Sequence, residues 1–291
     1  MKDTDSKFVH VNGRLLAAPR AQINVFDRGF LYGDGLFETL RAYAGKLFGL
    51  TDHLARLRSS AAFLGIKVPR RQWGKDISAL LRRNGLADSD AWVRITLTRG
   101  VASPGLVPPS RIEPTLVMIT GAIDPQTARA QERGVRATLL PFARHGFLAE
   151  HKTLNYVPGV LGKAFAARRG AFEGLFVDTE GFVSEGTTSN LFVVRGGSLF
   201  TPPVAGILSG ITRRLVLQAA VADGMKVEER PLPTADLFGA DEAFITSSVV
   251  EVVPVISVDK HRVGNGKVGP YCRRLQGWYR QAVDRVVRRP G

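Results

Sequence analysis

The chain has 291 residues, a single cysteine, 44% apolar residues and a formal net charge of +14. That length exceeds what one core usually organises, so two domains are expected, and the apolar fraction is that of an ordinary globular protein. No apolar run reaches membrane-spanning length, residues 1–7 lack the apolar stretch of a secretory signal, and the lone Cys272 excludes an internal disulfide, so a cytoplasmic protein is expected.

The basic residues are spread along the chain except for a C-terminal cluster of Arg285, Arg288 and Arg289. No zinc-finger spacing or aromatic-interleaved basic motif accompanies them. They read as a solvated surface able to attract anionic substrates, and no nucleic-acid partner is expected.

Asn12-Gly13 between two short apolar runs signals a β-hairpin. Residues 27–35 (Asp27-Arg28-Gly29 through Gly33-Asp34-Gly35) are rich in turn formers and read as a loop. Residues 36–43 alternate as a strand, with Phe37, Thr39 and Arg41 on one face and Glu38 and Leu40 on the other. Thr51 or Asp52 is placed to cap a helix that ends at Leu64, with Gly65 as its stop and Leu54, Leu57, Ala61 and Leu64 on its packed stripe. Arg56 and Arg58, two positions apart, point to nearly opposite sides. A helix over 71–83, a strand over 91–98 carrying Trp92, Arg94, Thr96 and Thr98 on one face, a Pro/Gly-rich loop over 100–111 and a strand over 115–120 follow.

The expected organisation is an N-terminal domain over 1–120, a linker over 121–133 and a C-terminal domain over 134–291. In the second domain, strands are expected at 135–140, 174–178, 182–185, 191–195, 198–201, 226–230, 243–246 and 253–258. Helices are expected after Val157, over 211–222, near 234–238 and at the C-terminus. Strands interrupted by helices and hairpins indicate a mixed α/β (α+β) class rather than a doubly wound parallel sheet.

Gly264-Asn265-Gly266-Lys267-Val268-Gly269 has dinucleotide-fingerprint spacing, but Pro270 follows at once and no room remains for a βαβ unit, so it reads as a loop. There is no G-x-S-x-G, and His10, His53, His145, His151 and His261 show no metal-ligand spacing, so no metal is expected. Ser209-Gly210-Ile211-Thr212 opens a helix, offering either a plain N-cap or a phosphate cradle of backbone N–H groups and the Thr212 hydroxyl. Thr246-Ser247-Ser248 ends a strand with three hydroxyls, as a polar turn or as further anion contacts. Arg56 would add a charge-assisted contact. Glu185 lies between two apolar strands, where burial without a cation is costly. Lys152, in Lys152-Thr153-Leu154-Asn155-Tyr156, supplies an amine that such surroundings could put to use.

Lys152-x-x-Asn155-Tyr156, Glu185-Gly186-Thr187-x-x-Asn190-Leu191-Phe192 and Leu208-Ser209-Gly210-Ile211-Thr212-Arg213 together resemble the class IV aminotransferases, the fold-type IV pyridoxal-phosphate enzymes. Asp27-Arg28-Gly29, Gly33-Asp34-Gly35-x-Phe37-Glu38, His53-Leu54-x-Arg56-Leu57, Asp241-Glu242-x-Phe244 and Glu251-x-x-Pro254-Val255 extend the likeness over nearly the whole chain. The resemblance implies a two-domain fold with a small α/β domain, a larger pseudo-barrel domain, a cleft between them and a homodimer. It implies that Lys152 holds pyridoxal 5′-phosphate as a Schiff base and then moves the substrate proton. Glu185 would pair with the pyridine nitrogen, Tyr156 with the ring hydroxyl, and Leu208 would pack on the ring. Arg56, Ile211, Thr212, Ser247 and Ser248 would hold the phosphate. Phe37, Arg94, Thr187 and Val249 would meet the substrate.

Within that family the features divide. Phe37, Glu38 and Arg94 match the branched-chain enzymes, whereas Thr98-Arg99-Gly100 resembles the D-amino-acid enzymes, the (R)-amine transaminases and the aminodeoxychorismate lyases. The Arg-x-His carboxylate trap of the D-amino-acid enzymes is missing from Val101-Ala102-Ser103-Pro104-Gly105-Leu106, and they carry tyrosine where Phe37 stands. The lyases tend to carry threonine in place of Glu38 and Arg-Gly in place of Pro104-Gly105. The expectation is transfer from an α-amino acid to a 2-oxo acid such as 2-oxoglutarate. A branched-chain-like L-amino acid is favoured over a D-amino acid, with lyase or (R)-amine chemistry as alternatives.

Overall fold

A computed structural model describes residues 7–144 and 146–287. His145, the start of the chain and the basic residues Arg288 and Arg289 therefore lie outside the described residues. The chain forms two compact units: Met1–Ile123 with His151–Asn155 and Val286–Gly291, and Asp124–Glu150 with Tyr156–Arg285.

In the first unit the hairpin β1 (Phe8–Val11) and β2 (Arg14–Ala17) turns at Asn12 (φ 48°) and Gly13 (φ 93°), the two positive φ values that a tight hairpin turn needs. Residues 28–32, expected as loop, form the one-turn helix α1 (Arg28–Tyr32), capped by the Asp27 side chain accepting from Gly29 N–H and ended by Gly33 at φ 67°. One turn is too short to show a 3.6-residue period, and its flanking Asp and Gly read equally as turn formers. Next come β3 (Gly35–Tyr43), β4 (Lys46–Leu47), α2 (Leu50–Leu64), α3 (Trp73–Arg83), β5 (Ala91–Thr98) and β6 (Thr115–Ala122).

Helix α2 starts one residue before Thr51, and neither Thr51 nor Asp52 caps it. Gly49, at φ 66°, occupies the cap without a side-chain bond, and Asp52 instead lies in the first turn, where its charge faces the helix dipole. Gly65 ends the helix as expected, at φ 67°. The six strands run in the order β2-β1-β6-β5-β3-β4. Leu36, Leu40, Val93 and Ile95 pack with Leu54, Leu57 and Ala61 of α2 and Ile77, Leu80 and Leu81 of α3 in one core.

The second unit contains α4 (Gln126–Arg133), β7 (Val135–Leu139), α5 (Val157–Arg168), β8 (Glu173–Val177), β9 (Phe182–Gly186), β10 (Asn190–Arg195), β11 (Ser198–Thr201), α6 (Ile211–Ala222), β12 (Val227–Glu229), β13 (Leu232–Pro233), α7 (Thr234–Phe238), β14 (Glu242–Ser247), β15 (Glu251–Val258), β16 (His261–Arg262) and α8 (Pro270–Val287). Much of the stretch 121–133, expected as linker, is thus the helix α4. Its residues Thr127, Ala130 and Gln131 are buried.

Strand order β10-β14-β15-β7-β8-β9, with β9 pairing back onto β10, closes six strands into a barrel-like ring. The closing rung is Glu185 opposite Asn190. Closure removes the edges that an open sheet would expose and buries Leu175, Val183, Leu191, Val193, Ile245 and Val253 inside.

Candidate active site

In the first unit the segment 152–154 adds to the free start of β3. Phe37 N–H donates to the Lys152 carbonyl and Leu154 N–H to the Gly35 carbonyl, each at 2.9 Å. These bonds place the lysine side chain on the face of β3 that carries Phe37. Lys152 Nζ lies 4.5 Å from the Phe37 ring centroid, and the Arg94 guanidinium carbon lies 3.7 Å from it. Strand register brings Arg94 there: β5 sets Thr96 opposite Phe37 and Arg94 opposite Thr39, all on one face. His151 anchors the segment further, with Nδ1 3.0 Å from Ser60 Oγ and its ring stacked on Phe63.

On the other face of β3, Glu38 is buried with Arg56 and His53 from α2. Arg56 Nε donates to Oε1 and Arg56 Nη2 to Oε2, both at 2.7 Å, and His53 Nδ1 is 2.7 Å from Oε2. Burial alone would raise the Glu38 pKa, but the Arg56 charge and the hydrogen bonds from Arg56 and His53 outweigh it and bring it down to about 2. Burial lowers the His53 pKa, so the ring is neutral at pH 7.

In the second unit, the barrel's closing rung holds one residue by its N–H and its carbonyl. Glu185 Oε2 accepts the Leu208 N–H at 3.2 Å, and Asn190 Nδ2 donates to the Leu208 carbonyl at 2.9 Å. This ties the approach to α6 against the rung. Gly210 caps α6 with no side-chain bond, and a Cβ there would come within 2.0 Å of Asn190 Oδ1, so glycine is what the close approach permits. Thr212 Oγ1, one residue into the helix, is buried and has no hydrogen-bond partner among the described residues; Thr246 Oγ1 is in the same state. A buried hydroxyl without a partner is costly, and one at a helix N-terminus with an uncapped first turn suits a phosphate oxygen. Ser247 ends β14, the turn residues Ser248 and Val249 follow it, and all three are partly buried.

The cation that a buried Glu185 calls for is supplied within the chain. Arg144 Nη1 lies 3.2 Å from Oε1, and the two side chains are 13% and 5% exposed. Arg144 also sits 5.6 Å from the Tyr156 ring centroid. The Tyr156 hydroxyl donates to the Thr187 carbonyl at 2.7 Å. Thr187 itself is fully buried with its hydroxyl donating to Glu173, so its side chain faces the protein interior. Glu173 also accepts from Thr188 Oγ1 at 3.1 Å and Ser189 Oγ at 3.0 Å, fixing the turn between β9 and β10.

The expected residues therefore fall into two sets. Lys152, Phe37, Arg94 and Arg56 belong to the first unit, and Tyr156, Glu185, Thr187, Leu208, Ile211, Thr212, Ser247, Ser248 and Val249 to the second. Arg144, His53 and Glu173 were missed as supporting residues. His53 and Arg56 could have been found as a polar pair three apart on one helix side, next to Leu54 and Leu57 and facing an inward carboxylate. Arg28 was missed as well. It donates to the Gly105 carbonyl at 2.6 Å and the Leu106 carbonyl at 3.1 Å, holding the 100–111 loop, while Asp34 Oδ2 takes its Nε at 2.8 Å.

Among the described residues no group of acidic, His or Cys side chains could hold a metal ion, and no helix is long and apolar enough to cross a membrane. Residues 35–258 match the family described as amino-transferase class IV. A Methanocaldococcus jannaschii protein named as a candidate branched-chain-amino-acid aminotransferase is 39% identical over 274 residues, covering 92% of this chain and 93% of its own. A D-alanine aminotransferase of Bacillus licheniformis is 34% identical over 268 residues, 91% of this chain and 93% of its own. The crystal structure of the Escherichia coli branched-chain amino acid aminotransferase superposes with a TM-score of 0.89 at 29% identity, covering 95% of this chain and 94% of that one.

Proposed function

This chain belongs to the class IV aminotransferases, and we propose that it uses pyridoxal 5′-phosphate to move an amino group from a branched-chain-like L-amino acid to a 2-oxo acid such as 2-oxoglutarate. The observation that carries this reading is the convergence of Lys152 and Arg94 on the Phe37 ring, which sets a reactive amine and a carboxylate-binding guanidinium on one sheet face.

When bound, the cofactor supplies an electron sink for the electrons left at the amino acid's Cα. Lys152 removes and returns the Cα proton as general base and acid. Glu185 would pair with the protonated ring nitrogen, Tyr156 with the ring hydroxyl, and Leu208 would pack on the ring. Arg56, Thr212 Oγ1, the Ile211 N–H, Ser247 and Ser248 would hold the phosphate. Arg94 orients the substrate carboxylate by a charge-assisted bond, with Val249 and the backbone at Thr187 beside the substrate.

Glu38, committed to Arg56 and His53, supports a transaminase over a lyase, because its side chain is occupied in a structural fork. The likeness to a D-alanine aminotransferase keeps the D-amino acid as the second reading. A homodimer is part of the proposal, with small-molecule amino and oxo acids as the partners. The test is amino transfer from paired L- and D-amino acids and (R)-amines to 2-oxoglutarate. L-Leucine should outpace D-alanine. Pyruvate release from aminodeoxychorismate without amino transfer would reverse the assignment.

A further inference from the structure

Phe37 and Glu38 are neighbours on β3 with side chains on opposite faces, and each is tied to a residue proposed to hold the cofactor. Phe37 carries the Lys152 segment through its backbone N–H. Glu38 carries Arg56 through two parallel N–H···O bonds of 2.7 Å. Glu38 and His53 are each only 1% exposed, and the Arg56 side chain is 14% exposed.

Two parallel bonds fix the plane of a guanidinium, which a single contact to a long flexible side chain does not. His53 lies one helical turn before Arg56 and closes on the same carboxylate, so the carboxylate has little freedom of its own. The fork engages Nε and Nη2 of the guanidinium. The carboxylate cancels the net charge of the pair, so the fork's effect on an anion lies in orientation. Ordering a long side chain on binding weakens affinity, and a guanidinium ordered beforehand avoids that loss.

We propose that Glu38, backed by His53, is a positioning residue that holds the Arg56 guanidinium in the orientation that takes the cofactor phosphate. The proposal rests on the pyridoxal-phosphate reading. It also makes β3 the shared mount of the phosphate arginine and the reactive lysine.

Equilibrium dialysis of the full-length protein against pyridoxal 5′-phosphate and against pyridoxal, which lacks the phosphate, separates orientation at the phosphate from a general structural role. Glu38→Asp keeps the charge and withdraws the carboxylate by one methylene. Arg56→Lys keeps the cation and abolishes the fork. Each single variant should weaken pyridoxal 5′-phosphate binding by about tenfold and leave pyridoxal binding unchanged, and the double variant should lose no more than Arg56→Lys alone. His53→Asn leaves both fork members in place, loosens the carboxylate from behind, and should cost about threefold for the phosphate-bearing ligand only. It carries the test if Glu38→Asp does not fold. Unchanged pyridoxal 5′-phosphate affinity, equal losses for both ligands, or additive losses in the double variant overturn the positioning role. Failure of the unmodified protein to bind pyridoxal 5′-phosphate overturns the cofactor reading itself, a different result from any of these.

Discussion

Replacing Arg144 with Met removes the cation facing Glu185 while keeping most of the side-chain volume. Breaking a buried ion pair from one side typically costs about 3–5 kcal/mol, because the surviving charge is left uncompensated. Here the contact is 3.2 Å long, Arg144 is 13% exposed, and the Leu208 N–H still serves the carboxylate. These reduce the expected loss to about 2–3 kcal/mol, or about 3–5 °C in thermal midpoint for a chain of this size. Differential scanning calorimetry of the cofactor-free protein, Arg144→Met, Glu185→Gln and the double variant measures it. If the loss comes from a lone carboxylate, adding Glu185→Gln to Arg144→Met should restore at least half of it, with a coupling of about 1–2 kcal/mol. Losses that simply add would refute the reasoning, because Arg144 would then stabilise through its packing and not through Glu185. With pyridoxal 5′-phosphate bound as proposed, the cost of Arg144→Met should shrink, since a protonated pyridine nitrogen facing Glu185 would give it a second cation.

Two other perturbations follow from the geometry. Gly210→Ala drives a Cβ to within 2.0 Å of Asn190 Oδ1. It should disturb the Leu208 anchor, cost about 1–3 kcal/mol in stability, and weaken pyridoxal 5′-phosphate more than pyridoxal in a dialysis comparison. Glu38, brought from 4.5 to about 2, contributes stability that is fully present above pH 4.5 and is lost as pH falls towards 2. The linked contribution is about 3 kcal/mol, so the stability gap between the unmodified protein and Glu38→Gln in urea titrations should narrow as pH falls through that window. A gap that stays constant would mean that Glu38 is not ionised in the fold.

Long periodic elements were readable from the chain because burial on one face imposes its own spacing. The alternation over 91–98 became β5, with Ala91, Val93, Ile95 and Leu97 buried, and the helix over 211–222 became α6 with the same ends. Residues 28–32 and 126–133 hid as loop and linker because short helices rich in Gly or charge show little periodicity. Lys152, Glu185 and Thr212 are proposed as site residues through the family pattern, and the Thr212 hydroxyl, buried without a partner among the described residues, is an observation independent of that pattern. Arg144 escaped because its partner lies 41 residues away, on the closing rung of a ring that no local pattern encodes. The likeness covers relatives named as branched-chain and as D-alanine aminotransferases, so its motifs alone do not divide them.

The central claim is that Lys152 carries the cofactor. Borohydride reduction of the purified protein after incubation with pyridoxal 5′-phosphate fixes the carbon–nitrogen bond, and peptide mass spectrometry then locates the added group. The account predicts the phosphopyridoxyl mass on the peptide containing Lys152, and loss of both that mass and the visible absorption band in Lys152→Ala. A label on another lysine with Lys152 unmodified, or no label at all, would contradict it.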